Sequence, residues 1–459
     1  MFLSVVNQNY LLDLVSKVNG FMWDFLLLIL LCGTGVYYSF RTGFIQVRKF
    51  KEAFKATFGG ISLKGEKAGK DGMSSFQSLA TSLAAQVGTG NLAGAATAIA
   101  TGGPGAIFWM WLSAFFGMST IFAEATLAQK YKVVGEDGQV TGGPVYYIKA
   151  AFQNKFGNIL AALFALFITL ALGFMGNMVQ ANSIAAACKE AFHIPTIVIG
   201  IVVAVLAAFV FLGGIGRIAS VTEKMVPIMA GLYILGSLFA IIFHFQNIVP
   251  AFVSIFKYAF TPGAIFGGVV GTTIKQAIRY GVARGLFSNE AGMGSTPNSH
   301  ALAKVDHPCD QGLVAMIGVF IDTFVILSLT ALVILTSGVM EQTPVQGIAL
   351  TQAAFYATFG QLGTNFVAII MFFFAFSTII GWYFFGEQNV RYLFGDKGVR
   401  VYTILVILFI VIGSTLKVTL VWDLSDMFNG LMVVPNVLGL LALSGMVVAL
   451  LKEYENKKK

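Results

Sequence analysis

Charge is scarce in this sequence. Lys, Arg, Asp and Glu make up 11% of its 459 residues, too few to solvate the surface of a soluble protein. Cysteine is scarcer still. Cys32, Cys188 and Cys309 are scattered with no CxxC, which removes a disulfide framework and a zinc site. The four histidines, His193, His244, His300 and His307, are dispersed without metal-ligand spacing. There is no HExxH, no GxSxG and no Walker A lysine. The run GTGNLAG (88–94) is one residue off the dinucleotide fingerprint and opens no βαβ unit. An enzyme reading has no chemistry to rest on. The first 20 residues also lack a basic n-region and a small-residue cleavage site, so no cleaved signal peptide is expected.

Apolar residues fill the space that charge leaves. They make up 57% of the chain, with a mean hydropathy of +0.81, which defines a multi-span helical membrane protein whose solvent is the lipid bilayer. Eleven spans are expected: 21–40, 75–100, 104–130, 158–187, 195–213, 224–245, 263–292, 312–336, 361–385, 401–416 and 428–451. The net charge of +8 sits in the loops between them and reports topology; no nucleic-acid partner is implied. With the basic segment 41–71 inside, only Lys17, Lys189, Lys257 and Lys417 of the 29 basic residues fall outside. The N-terminus is then expected outside and the C-terminus in the cytoplasm, in the cell membrane. Segment 41–71 sets the first span apart, and ten spans remain. They divide into two fives, each opening on a Gly-rich span. Five is odd, so the halves run in opposite senses. This is the sequence pointer to an inverted-repeat transporter with a midplane site. The expected division is 1–73, a peripheral helix with its linker; 74–246 and 247–452, the two repeats; and 453–459, a cytoplasmic tail.

The stretch from Ser74 to Gly105 organises the rest. Gly88, Gly90 and Gly94 loosen its helix, while Gln86, Thr89 and Asn91 bring polar groups to membrane depth. Broken backbone survives there only where it lines a protected cavity, although small residues also serve close helix packing. In the second half, Gly263, Gly267, Gly268, Gly271, Gly281 and Gly285 mark the matching span. Its break is expected at 267–273 or at 281–285, with span length favouring the first. Arg284 and SNEAGMGS (288–295) are expected at the inner end of the span; with the first break SNEAG belongs to the inner gate, with the second it touches substrate. Glu124, Lys275, Arg279 and Asp322 lie in or near spans, where ionisable groups are expensive and usually paired or functional. One reading pairs Glu124 with Arg279 or Arg284 to clamp a cytoplasmic gate. The other makes Asp322 or Glu124 a proton relay.

The runs GTGNLAGAATAIATGGPGAIFWMW (88–111), TGGPVYYI (141–148) and ARGLFSNEAGMGSTPNSHALAKVDHPCDQG (283–312) resemble signatures of the alanine or glycine:cation symporter family. The resemblance covers about residues 20–450. It implies an all-α, leucine-transporter-like core of five plus five helices with one additional N-terminal helix. It also implies cotransport of a small neutral amino acid (alanine, glycine, sometimes glutamine or serine) with Na⁺ as coupling ion.

Na⁺ wants five or six hard oxygens, which hydroxyls and backbone carbonyls supply. The resemblance assigns that work to Ser377 and Thr378 with the carbonyls near Ala84, Ala85, Val87 and Gly88. Membrane Ser and Thr also bond back to their own helix, so the alternative stays open here. For a zwitterion, N–H groups around Gly88, Thr89, Gly90 and Asn91 suit the carboxylate. Gln86, Asn91, Gly271, Thr272, Thr273 and Gln276 are candidates for the ammonium. Phe174 and Asn177 are expected to close one wall, and Trp382, one turn beyond Thr378, to cap a small side chain. An oligomer is not required. The competing class is a passive channel or facilitator lined by the glycines.

Overall fold

The structure is a computed structural model that describes residues 13–59, 69, 72–135, 138–262, 273–341, 345–416 and 419–457. It is helical almost throughout; one two-residue antiparallel pairing, Val133 with Thr141 and Val134 with Val140, is described. In chain order the helices are α1 (Asp13–Arg41), α2 (Phe50–Phe58), α3 (Ser75–Gln86), α4 (90–102), α5 (Ala106–Lys130), α6 (Pro144–Ala151) and α7 (Lys155–Phe192). They continue with α8 (Thr196–Phe211), α9 (Gly214–Phe243), α10 (Ile248–Phe260), α11 (Ile274–Asn289), α12 (Pro297–His300) and α13 (Pro308–Ser337). The last are α14 (Ile348–Phe359), α15 (361–394), α16 (396–415), α17 (Thr419–Ala442) and α18 (Ser444–Lys457). Among the described residues, seven helical stretches are long and apolar enough to cross a membrane; the run 361–415 is counted there as one, because α15 and α16 join at Gly395, whose φ is +66°.

Local sequence explains where the helices begin. Ser74 and Gln77 close a reciprocal capping box at the start of α3, and Pro144 opens α6, where its missing N–H costs nothing. Packing then sorts the helices by burial. α15 is buried along most of its length, whereas α8, α9 and α10 present Leu, Ile, Val and Phe outwards, as lipid-facing helices must. The centre of the molecule is made by α3, α4, α7, α11, α13 and α15. Gly381 of α15 makes this possible, since a Cβ there would lie 2.8–3.0 Å from Ala85 Cβ, Cα and N.

Several expected bounds move. The expected span 428–451 is two helices, α17 ending at Ala442 and α18 starting at Ser444. The chain is helical through Lys457, so the expected tail at 453–459 is helix over its first residues. α18 lies against the segment following the first span, with Arg48 paired to Glu455 and Tyr454 donating to Glu52 or Asp310. Of the expected span 263–292, residues 263–272 lie outside the described residues, Ile274–Asn289 is α11, and 290–292 are no longer helical.

Candidate functional site

Two helices are broken, and the breaks meet. The first separates α3 from α4 at Val87–Thr89, and α4 begins with a widened, i→i+5 turn at Gly90–Gly94, a distortion common at functional sites. Its backbone is satisfied by side chains rather than by a ladder. Gly88 N donates to Asn91 Oδ1 (2.9 Å), and Thr89 N donates to Gln180 Oε1 (3.3 Å). The second break follows α11. Glu290 is left-handed (φ +58°), and Gly292 (φ +86°) and Gly294 (φ +80°) take up conformations that suit glycine. Their N–H groups donate to the two carboxylate oxygens of Glu124 on α5, at 2.9 and 3.0 Å. Asn436 of α17 donates to Glu124 as well (2.6 Å) and to Gly292 O (2.9 Å). Glu124 is wholly buried; it supplies the acceptors that an unwound segment would otherwise lack.

Asp322 joins the two breaks. It lies in a widened turn of α13 (Phe320–Leu327) and accepts from Asn91 Nδ2 of the first break (2.7 Å) and Ser288 Oγ of the second (3.0 Å). Gln86 Nε2 donates to Asn289 O at 2.6 Å, and Gln86 Oε1 is buried without a partner among the described atoms. A Cβ on Gly90 would sit 3.1 Å from Ser288.

The expected hydroxyl pair faces the first break. Thr378 Oγ1 lies 3.0 Å from Ala84 O and 3.5 Å from Val87 O, and Ser377 Oγ lies 3.2 Å from Ala84 O. Both hydroxyls also reach Phe374 O of their own helix, at 2.8 Å for Ser377 and 3.0 Å for Thr378. The pair thus bonds back to its own helix and also reaches the carbonyls of the first break. Ala85 instead packs on Gly381, and Gly88 lies against Thr378, whose Oγ1 would be 2.3 Å from a Cβ at that position. Two carbonyls and two hydroxyls, all neutral, are the donor set a hard monovalent cation accepts.

Trp382 is buried beside the second break. Its Nε1 donates to Glu290 Oε1 (2.6 Å), its ring meets Phe287 edge-on, and its Cε3 and Cζ3 lie 2.6 Å from where a Cβ on Gly176 of α7 would sit. Phe174 is half-buried and packs on Tyr402 and Phe409 of α16. Asn177 is buried and donates to Gly173 O (3.0 Å). An open cavity of about 530 Å³ leads towards this region, lined among others by Thr97, Asn182, Ser183, Phe287, Trp422 and Asp426. Across it Arg284 Nη2 meets Asp426 Oδ2 at 3.1 Å.

Several sequence expectations are corrected. Thr273 and Gln276 are exposed and form a capping box at the start of α11, so they cap a helix instead of facing the breaks. Gly271 and Thr272 lie outside the described residues. The break is not at 281–285, since α11 runs unbroken through it. Gly281 is there for close packing, with a Cβ placed 2.3 Å from Ala106 O. Glu124 pairs with neither arginine; Arg279 pairs with Asp24 and Arg284 with Asp426. Arg284's partner, Asp426, lies in the opening turns of α17. Gln180 was not among the expected site residues; its signal was an amide in an otherwise apolar helix. Ser288, Asn289 and Glu290 belong to the run SNEAGMGS that the sequence singled out without giving its members individual roles.

In a helical membrane protein, two broken helices that meet at a buried polar centre mark a transporter. This chain belongs to the sodium:alanine symporter family, whose sequence model matches residues 8–459. It is similar to the sodium/alanine symporter AgcS of Methanococcus maripaludis, 44% identical over 97% of this chain and 98% of that protein. It is also similar to the amino-acid carrier protein AlsT of Bacillus subtilis, 42% identical over 98% and 94%. Among solved structures, MhsT in complex with L-phenylalanine superposes with a TM-score of 0.55 at 12% identity, over 82% of this chain and 96% of that one. That likeness shows the leucine-transporter-like fold.

Proposed function

We propose that this protein is a secondary active symporter of the cell membrane, coupling inward Na⁺ movement to uptake of a small neutral amino acid by alternating access. Alanine and glycine are the first substrates to test, glutamine and serine the next. The observation that carries the reading is the convergence of Ser377, Thr378, Ala84 O and Val87 O at the first break. A cation there draws α15 and the break together. It lowers the cost of the conformation that accepts substrate, and by linkage the substrate tightens the cation. N–H groups at Gly88 and Thr89, which here meet side-chain oxygens, suit the substrate carboxylate, and Gln86 Oε1 is a free acceptor for its ammonium. Trp382, held by Glu290, limits the side chain that fits. The N-terminus is outside and the C-terminus cytoplasmic, eleven spans form one peripheral helix plus two inverted repeats (74–246 and 247–452), and a monomer suffices. The mouth of the cavity at Arg284–Asp426 is then the outer side.

The deciding experiment is radiolabelled alanine uptake into proteoliposomes under inward Na⁺, inward H⁺ or no gradient. Concentrative uptake with Na⁺ alone is expected. Uptake driven by H⁺ would replace Na⁺ by a proton carried on Asp322 or Glu124, and equal uptake without any gradient would make the protein a facilitator. Thr378→Ala is expected to raise the Na⁺ concentration for half-maximal uptake about tenfold, the loss of one oxygen ligand worth about 1.4 kcal/mol. Substrate affinity at saturating Na⁺ should change less. Unchanged Na⁺ dependence removes Thr378 from the cation site.

A further inference from the structure

α1 stands apart from the ten-helix core in sequence, joined to it by the segment 41–71, yet it grips the core with polar side chains. Asn19 Nδ2 donates to the backbone carbonyl of Asp423 (2.7 Å), and Trp23 Nε1 donates to that of Asp426 (3.0 Å). Asp24 pairs with Arg279 of α11. Asn19, Trp23 and Leu27 are spaced four apart, on one side of the helix. Gly430 of α17 lets that side come close, as a Cβ there would lie 3.1 Å from both Leu27 and Met22. α1 therefore holds α17 through two carbonyls and α11 through an ion pair. These are the two helices that contribute Asp426 and Arg284. A polar cleft of about 190 Å³ lies between the three, lined in part by Ser16, Asn19, Trp23, Arg279 and Arg284.

We propose that Asn19, Trp23 and Asp24 are positioning residues for the outer ion pair: α1 is a strap that sets the spacing of α11 and α17 and so the ease with which Arg284 and Asp426 part. The inference rests on the reading of this protein as an alternating-access symporter. Simple packing against the bundle does not account for the contacts. An apolar helix docks through side-chain interdigitation, whereas here an indole and an amide donate to carbonyls in the opening turns of another helix, and a partly exposed ion pair ties the same face to α11 beside the cavity mouth. α17 is also the helix that carries Asn436 to Glu124, so a strap on its opening turns acts on the element that reaches the second break.

The test uses the full chain in proteoliposomes, with Cys32, Cys188 and Cys309 replaced by alanine and a reporter Ala186→Cys on the exposed cavity wall. Labelling by a membrane-impermeant maleimide reads opening, and alanine uptake reads KM and maximal rate separately. Asp24→Asn and Trp23→Phe are each expected to speed labelling about two- to fivefold, the scale of one partly exposed ion pair or one hydrogen bond. KM should rise by a similar factor, with the maximal rate within about twofold of the parent. The swap Asp24→Arg with Arg279→Asp is expected to restore labelling and KM, which a general loss of packing would not allow. Parental labelling and KM in both single variants overturn the strap, as does a swap that folds and fails to restore them. Where Asp24→Asn does not accumulate, Trp23→Phe, which keeps an aromatic side chain of smaller volume and removes the indole N–H, decides. If Na⁺ and alanine do not slow labelling of the parent, the symport reading fails, while the difference between parent and variants still reports the strap.

Discussion

Glu124→Ala is expected to abolish uptake and to destabilise the protein by about 2–6 kcal/mol, the cost of leaving two buried backbone donors without an acceptor. Glu124 is the acceptor for Gly292 N, Gly294 N and the Asn436 amide. Without it, two backbone donors in a water-poor interior are unsatisfied, each costing about 1–3 kcal/mol, and the segment between α11 and α12 has no reason to hold its shape. Glu124→Gln keeps one acceptor oxygen but turns a donor towards another donor. It is expected to retain the fold and lose most of the transport rate. Thermal unfolding in detergent and alanine uptake at saturating Na⁺ measure both. Near-normal uptake by Glu124→Ala would remove this carboxylate from the mechanism.

The second large effect is steric. Gly381→Val is expected to weaken Na⁺ activation by tenfold or more while the protein still folds. The first atoms a side chain would meet are Cβ, Cα and N of Ala85, at 2.8–3.0 Å. Two of the three are backbone, so the first break must move as a unit, at an overpacking cost of about 1–3 kcal/mol. That displacement takes the carbonyls of Ala84 and Val87 away from Ser377 and Thr378, one turn before Gly381 on α15. Gly231 of α9 is the control, since nothing lies within 4 Å of a Cβ there, and Gly231→Ala should leave Na⁺ activation as it was. Sodium titrations of uptake for the two variants settle the matter; equal half-saturation would place the cation elsewhere.

The first break and the hydroxyl pair could be read from the chain because they are anomalies against an apolar background. Gly88, Gln86 and Asn91 interrupt a membrane helix, and Ser377–Thr378 interrupts a run of Phe and Ile. The alternative at 281–285 failed for a physical reason, while the favoured one at 267–273 lies, up to residue 272, outside the described residues. Glycine serves both unwound backbone and close helix contact, and Gly281 and Gly285 serve contact, with Ala106 and Met110 as neighbours. The unwinding begins at Glu290, a residue that seldom adopts positive φ. Partner choice was illegible for another reason. Arg279 and Arg284 find Asp24 and Asp426, each more than 100 residues away in the chain, and charge spacing along a sequence does not report such meetings.

The four oxygens that Ser377, Thr378, Ala84 and Val87 bring together carry no formal charge. A carboxylate ligand would neutralise a monovalent cation; these groups would only solvate one. If the cation crosses with a zwitterion of zero net charge, each cycle carries one uncompensated positive charge, and the membrane potential itself becomes a driving force, about 2.3 kcal/mol for every 100 mV. Uptake in sealed vesicles should then accelerate when the interior is made negative by a potassium diffusion potential, even at equal Na⁺ on both sides, and slow when the sign is reversed.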